Sequence, residues 1–317
     1  MSRTLILSHS DIRKLEISVT EILESVKKGL VDHALGKTLL APKLTFRPEP
    51  HSFYTSMPSG NSDDRILGLK LVQRPSVPLK KGPGVFGTMF MNDYETGQLM
   101  SIMDATWLTS IRTGAVAALS IEAYAKHPVE KISLMGAGNV GMATVLCLSE
   151  SIPSLKEIKV LKYKDAVERL RKRFEHTDLI FTEVAEIKDL FTDVQVVVTS
   201  LTFAGEPFVK KEWLFDGMLA LPLHMRGWQD CDPLFNKMFT DDYEHTKAWL
   251  YRLDGEIGEV LAGIKPGREN DKEKIIAYNY GIAIDDLAVA KLVYQHAVRN
   301  EVGMWTTLDD YEDKYLI

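Results

Sequence analysis

The chain is short of several features, and each shortage removes a class of protein. Lys and Arg number 38 against 44 Asp and Glu, a formal net charge of −6. It therefore lacks the basic excess that a phosphate backbone demands, and nucleic acid is not an expected partner. No apolar run approaches the roughly 20 residues needed to span a bilayer, so no membrane partner is expected. The opening stretch "MSRTLILSHSD" holds one arginine and a four-residue apolar run, too short for the core of an export signal. Only two cysteines occur, Cys147 and Cys231, in no spacing that makes a metal site or a disulfide framework. The expectation is a cytoplasmic protein with both thiols buried or idle and no bound metal. Internal repeats, low-complexity segments and any Ser/His/Asp arrangement are missing as well.

What is present is ordinary globular text, 45% hydrophobic and 26% charged over 317 residues, a length that implies two domains. "TLIL" (4–7) reads as a strand, and the capping-box spacing of "SVTE" (18–21) before Ile22, Val26 and Leu30 starts a helix. From Ala41 to Gly97, Pro, Gly and Ser punctuate short apolar runs at 66–73 and 84–93, the pattern of an antiparallel sheet, with "ETG" (95–97) as a hairpin turn. An Ala-rich helix begins at about Thr109. After His127-Pro128, strands at 131–135, 158–162, 194–199, 218–223 and 275–280 alternate with helical segments such as 165–174, and a last amphipathic helix covers 283–300. Alternation of this kind implies a parallel sheet with crossovers. The expected fold class is α/β: a Rossmann-type doubly wound domain over 119–297, and an α+β domain over 1–118 to which a C-terminal helix, 298–317, returns.

"KISLMGAGNVG" (131–141) carries the spacing G-x-G-x-x-G between a strand and a helix. Gly136 permits the tight turn, Gly138 lets the backbone approach a pyrophosphate, and Gly141 lets the helix pack close to the strand. The pyrophosphate would lie at the helix N-terminus, where unpaired N–H groups favour an anion; the alternative is that the glycines serve geometry alone. At the end of the next strand, where NAD-preferring sites place an acid, "KVLKYKD" (159–165) has Lys162, with Lys164 near it. Cations there favour a 2′-phosphate, so NADP is slightly preferred over NAD; the alternative leaves both lysines solvated and gives the ribose to Asp165. In "DATWLTSIRTGAVAA" (104–118), Arg112 and Thr113 stand near the start of the Ala-rich helix, where an arginine can hold a carboxylate or phosphate by two parallel bonds.

Taken together, "TGQLMSIMDATWLTSIRTGAVAA" (96–118), "LMGAGNVG" (134–141), "DVQVVVTSLT" (193–202), "DDYEH" (241–245) and "GIAIDDLAVAKLVYQHA" (281–297) resemble the ornithine cyclodeaminase/mu-crystallin family. The resemblance covers nearly the whole chain in order, and D-x-x-x-L-T-x-x-R-T-x-A is its specific part. It implies a substrate-binding and dimerisation domain joined to a Rossmann domain, a homodimer, and a nicotinamide cofactor used on amino acids or cyclic imines. By the same resemblance, Arg47 grips the substrate carboxylate and Lys70 belongs to the substrate site and the chemistry. Arg112 is shared between carboxylate and cofactor. Asn139 and Val140 touch the pyrophosphate, Lys162 reads the ribose, Thr199 lies on the nicotinamide side, and Asn279 stands where a serine is common. Read from the residues alone, the alternatives are that Lys70 in an alternating strand faces solvent and that Arg47 beside Pro48 is a loop charge.

One segment departs from the cyclodeaminase pattern. Where those enzymes carry an acid/base aspartate after the fifth Rossmann strand, "LPLHMRGWQDCD" (221–232) has His224, and Trp228 replaces a following lysine. A histidine titrates near neutrality, so His224 is the candidate general acid; the plainer alternative is a strand-end histidine bonded to backbone. The expected activity is an NAD(P)H-dependent reductase or dehydrogenase at the C–N bond of a small α-imino or α-amino acid, a cyclic ketimine or opine-like substrate. The alternatives are ornithine cyclodeaminase and a crystallin-like cofactor-binding protein without turnover. The substrate side-chain pocket is expected in loops near 47–62 and 224–232. Asp254, Glu256 and Glu259 form an acidic patch with no spaced histidine to help bind a metal, and read as a solvated helix turn.

Overall fold

The computed structural model describes residues 3–77, 79, 82–201, 206–224 and 226–308. The first half runs β1 (Thr4–Leu7), α1 (His9–Lys14), α2 (Val19–Ala34), β2 (Thr38–Leu40), β3 (Leu44–Phe46), β4 (Phe53–Asn61), β5 (Ile66–Arg74), β6 (Phe86–Asp93), β7 (Leu99–Asp104) and α3 (Thr106–Tyr124). Then come β8 (Lys131–Met135), α4 (Asn139–Ser151), β9 (Glu157–Leu161), α5 (Ala166–Arg173), β10 (Ile180–Val184), β11 (Val196–Thr199) and β12 (Leu219–Pro222). The chain continues through β13 (Lys237–Thr240), α6 (Tyr243–Thr246), β14 (Gly255–Glu256), α7 (Ile257–Leu261), β15 (Ile275–Tyr278), α8 (Ala283–Arg299) and β16 (Met304–Thr306). No helix among the described residues is long and apolar enough to cross a membrane.

Two compact units divide the chain. The first takes the described residues of Met1–Ser18, Gly36–Thr109 and Ala283–Ile317. Its sheet has the order β16-β1-β7-β6-β5-β4-β2, with β3 added on β4. Every pairing is antiparallel except β1 with β7. The β6–β7 turn is held by Asp93, whose carboxylate accepts from the Glu95 and Thr96 amides and the Thr96 hydroxyl. On β5 the pleat sends Ile66, Gly68, Lys70 and Val72 to the buried face. Helix α8 lies on that face. Gly68 makes room for it, since an added Cβ would stand 2.7 Å from Leu287.

The second unit takes Val19–Leu35 and Ser110–Ile282. Its sheet is wholly parallel, in the order β10-β9-β8-β11-β12-β15-β13-β14. The order reverses between β8 and β11, which makes their carboxyl ends the switch point of a Rossmann-type sheet. Helix α3 carries Gly114 where it meets α4, because a Cβ there would be 2.6 Å from the Ala143 backbone. One end of the core gathers Trp228, Phe235, Met238, Val197 and Tyr278.

The units do not follow the boundaries expected from sequence. Residues 19–35 and 110–118 belong to the Rossmann unit, and 283–297 to the other. Over the described residues of 298–317 the expected helix is not formed: α8 stops at Arg299, Gly303 takes φ +101°, and Met304–Thr306 pairs with β1 as an edge strand. Residues 309–317 of that segment lie outside the described ones. The Ala-rich helix starts at Thr106, three residues early, because the Asp104 carboxylate accepts from the Thr106 amide and hydroxyl. The expected pocket loop at 47–62 is largely strand, since β4 occupies Phe53–Asn61.

Asp232 is buried in the Rossmann core and accepts a 2.8 Å bond from the Tyr278 hydroxyl. Burial pushes its carboxyl up from 3.8 to about 6. The folded state therefore holds the proton more tightly than the unfolded chain, and stability is lost as pH rises through 6. Asp232→Asn keeps the acceptor and removes the charge. Denaturant midpoints should show the variant gaining on the wild type by on the order of 1–2 kcal/mol at pH 7.5, with the gain shrinking at pH 4.5.

Candidate active site

The glycine loop of the second unit closes the switch point. Gly136 has φ +102°, and an added Cβ would collide with the Ser200 carbonyl at the end of β11. A Cβ on Gly141 would collide with the Gly136 carbonyl, so α4 leaves the loop with no room for a side chain. Gly138 differs: a Cβ there meets nothing within 4 Å. It is the N-cap of the thirteen-residue α4, makes no side-chain cap bond, and no acidic residue sits in the first turn. The amides at Asn139, Val140 and Gly141 thus open a helix whose positive end no carboxylate of the helix itself occupies. This cradle fits a dinucleotide pyrophosphate.

Arg112 and Thr113 are both buried on α3. The Arg112 guanidinium packs directly on Gly281, which has φ +78° and would clash with it if it carried a Cβ. The Gly281 amide donates to the Asp241 carboxylate, itself fully buried. Arginine and aspartate therefore meet the same glycine. Neither Gly281 nor Asp241 was singled out from sequence as a site residue, although both lie in the family-like segments; their role depends on a contact across 40 residues.

Thr199 ends β11, buried, with its hydroxyl 2.9 Å from His224 Nε2 and 3.1 Å from Trp228 Nε1. Burial drives the His224 pKa down to about 4, and the Arg226 backbone opposes this weakly. The imidazole is neutral at pH 7, so the argument that His224 titrates near neutrality, and hence donates as an imidazolium, fails. Met225, beside it in the expected pocket segment 224–232, lies outside the described residues, as does Thr202 of the β11 motif. Asn279 is buried; its amide exchanges bonds of 3.1 and 3.2 Å with the Ser120 hydroxyl, and its backbone N–H donates to Pro222. The asparagine side chain is thus used in tying α3 to the end of β15.

Lys162 follows β9 and is paired at 2.9 Å with Glu183 on the neighbouring β10. Hydrogen bonding to Glu183 raises the lysine pKa. Lys164 has φ +50° and its ammonium lies 5.1 Å from the Tyr163 ring centroid. Asp165 is the N-cap residue of α5, without a side-chain cap bond. The cation expected to read a 2′-phosphate therefore has a carboxylate attached.

In the first unit, Lys70 is 1% exposed and forms a 2.7 Å ion pair with Asp286 of α8, which is 0% exposed. The strand's alternation turns it inward, against the reading that it faces solvent. Arg47 follows β3 and is exposed. The same unit holds a cavity of about 340 Å³ lined by Pro48, Phe53, Tyr54, Arg74 and Phe86 among others. Asp286 was not singled out from sequence because its partner, Lys70, arrives from far along the chain.

The acidic patch also needs revision, because the fold supplies a histidine. His33 of α2 places Nε2 3.0 Å from Asp242, and His33, Asp242 and Glu256 offer ligand atoms within 4.8 Å of one another. Each carboxylate has a local task. Asp242 caps α6 through the His245 amide, and Glu256 accepts from the Tyr243 amide.

A parallel sheet with this reversal, and a glycine cradle at its switch point, defines a Rossmann-type dinucleotide-binding protein. The sequence model of the ornithine cyclodeaminase/mu-crystallin family matches residues 2–301, and the chain belongs to that family. An alanine dehydrogenase of Archaeoglobus fulgidus is 30% identical over 327 residues, covering 95% of this chain and 97% of the relative. The Thermococcus litoralis Delta(1)-pyrroline-2-carboxylate reductase, solved with NADH and L-proline, superposes with a TM-score of 0.85 at 25% identity, covering 95% of this chain and 99% of that one. An archaeal alanine dehydrogenase dimer with bound NAD gives 0.86 at 27% identity over 97% and 100% of the two chains.

The buried Lys70–Asp286 pair gives a stability test. Lys70→Met strands a buried carboxylate and should cost about 3–5 kcal/mol. Adding Asp286→Asn should restore a good part of that loss. Chemical denaturation of the two single variants and the double variant measures the coupling.

Proposed function

We propose that the protein is an NAD(P)H-dependent reductase acting at the C–N bond of a small α-imino acid, and in reverse a dehydrogenase of the corresponding α-amino acid. The observation that carries this reading is the group at position 224. Loss of ammonia with ring closure needs a carboxylate that takes and returns protons. Here that position holds a neutral imidazole tied to Thr199. Membership of a family whose relatives include dehydrogenases and imine reductases supports the same choice.

In this reading Arg47, Lys70 and Arg112 bind the substrate carboxylate. Their charge withdraws electron density from the adjacent carbon and favours hydride addition there. Lys70 stays an ammonium because Asp286 holds it, and Arg112 keeps its orientation because Gly281 leaves it space. The amides of Gly138, Asn139 and Val140 hold the pyrophosphate, Thr199 and Asn279 flank the nicotinamide side, and Thr113 also binds the cofactor. When bound, the reduced nicotinamide supplies the hydride. His224 contributes a hydrogen bond and not a titrating proton, so the proton that the substrate nitrogen gains as hydride adds to its carbon comes from water. Retention of all three cations weighs against a binding protein without turnover.

The Lys162–Glu183 pair weakens the sequence argument for NADP, and we infer that NADH serves at least as well as NADPH. A homodimer is the inferred assembly, as in the archaeal alanine dehydrogenase neighbour, and the exposed Leu44 and Phe46 of β3 supply apolar surface for it. A cytoplasmic location is inferred with it. Burial raises the Cys147 thiol to about 12 and Cys231 to about 11, so neither is reactive.

Absorbance of the reduced cofactor should fall when the protein is mixed with pyrroline-2-carboxylate or piperideine-2-carboxylate. L-Ornithine with NAD should release no ammonia; efficient conversion to proline would overturn the assignment. Glu183→Gln frees Lys162, and the ratio of kcat/KM for NADPH over NADH should rise by roughly tenfold, equivalent to one lost like-charge contact with the 2′-phosphate.

A further inference from the structure

Trp228, Thr199 and His224 form a hydrogen-bonded series within the second unit, and its direction can be read from donor chemistry. The indole Nε1–H of Trp228 can only donate, and it reaches Thr199 Oγ1 at 3.1 Å. Thr199 is 1% exposed, so its own O–H needs an acceptor inside the protein. Among the described residues the acceptor in reach is His224 Nε2 at 2.9 Å. If Nε2–H instead donated to Thr199, the threonine oxygen would receive two donors and its hydrogen would be left buried without a described partner. The series therefore runs from Trp228 to Thr199 to His224, and the ring proton sits on Nδ1. Nδ1 has no hydrogen-bond partner of ordinary geometry among the described residues, and the backbone of Arg226 beside the ring favours a ring proton, in keeping with Nδ1–H.

The donor at the head of the series is rigid. Trp228 is fully buried, with Phe191 and Phe235 ring centroids at 5.7 and 6.2 Å. Phe208 lies along the imidazole at 6.3 Å between centroids, and Gly227 leaves the space that Phe208 occupies, since a Cβ there would collide with its ring. We propose that Trp228 is a positioning residue that, through Thr199, fixes His224 as the neutral Nδ1–H tautomer. The residue replacing the family's lysine thus sets the form of the residue replacing the family's aspartate. The site then offers an N–H donor in place of a group that exchanges protons. This deepens the reductase reading, and its role in catalysis rests on that reading, but the tautomer itself does not.

The test is ¹⁵N NMR of the imidazoles in the full-length protein at pH 7 without cofactor or substrate, with the His224 signals assigned by their loss in His224→Gln. An unconstrained neutral histidine favours Nε2–H, so the expected result is distinctive: Nδ1–H in roughly tenfold excess or more, as one directional hydrogen bond allows. Trp228→Phe keeps an aromatic ring and removes the donor; Nε2–H should then become prominent. Thr199→Val should act likewise and Thr199→Ser should restore the wild-type pattern, a rescue that general loosening of the core would not produce. Predominant Nε2–H or imidazolium in the wild type overturns the proposal, as does an unchanged tautomer in Thr199→Val. Because these spectra need no turnover, failure of the imine assays would leave them readable and would count against the reductase reading alone.

Discussion

The close approach of three backbones at the end of β8 is the constraint on which the nucleotide half of this protein depends. Gly136 turns with positive φ against the Ser200 carbonyl, and Gly141 presses α4 onto the Gly136 carbonyl. No side chain fits at either point. The consequence is a helix start brought up against the ends of two strands where the sheet order reverses, with Gly138 left open above it. Anion affinity there comes from main-chain amides, so it depends on this packing and not on any charged side chain.

Buried charge in the protein is managed by pairing. Lys70 is turned inward by the pleat of β5 and met by Asp286; the Arg112 guanidinium rests on a glycine whose amide is held by Asp241. An unpaired cation at either position would carry a desolvation penalty that its hydrogen bonds could not offset. Asp286 also keeps Lys70 charged and oriented. The uncharged counterpart is His224, held neutral by burial and bonded to Thr199. A neutral imidazole at position 224 suits the proposed hydride transfer better than a reaction that shuttles protons to expel ammonia.

Much of the fold could be read along the chain because its signals are local. The strand at 131–135, the glycine spacing after it, the alternation of 66–73 and the long helices at 106–124 and 283–299 each rest on periodicity or on backbone freedom that neighbours in sequence supply. The family-like motifs led to Arg112 and Thr199, the wider resemblance to Lys70, and the strand following the glycine loop to Lys162. What escaped were short edge elements with little periodicity, such as β16, and every partner that arrives from far along the chain.

Local sequence thus determined that this chain makes a parallel sheet with a glycine-opened helix, and that cations stand at 47, 70 and 112. Only tertiary structure decided what those groups are. Glu183 pairs with Lys162, Asp286 captures Lys70, and burial takes the charge from His224. The reason is physical: a residue's conformation answers mainly to its sequence neighbours, whereas its charge state and hydrogen-bond direction answer to solvent exclusion and to atoms that folding brings from tens or hundreds of residues away.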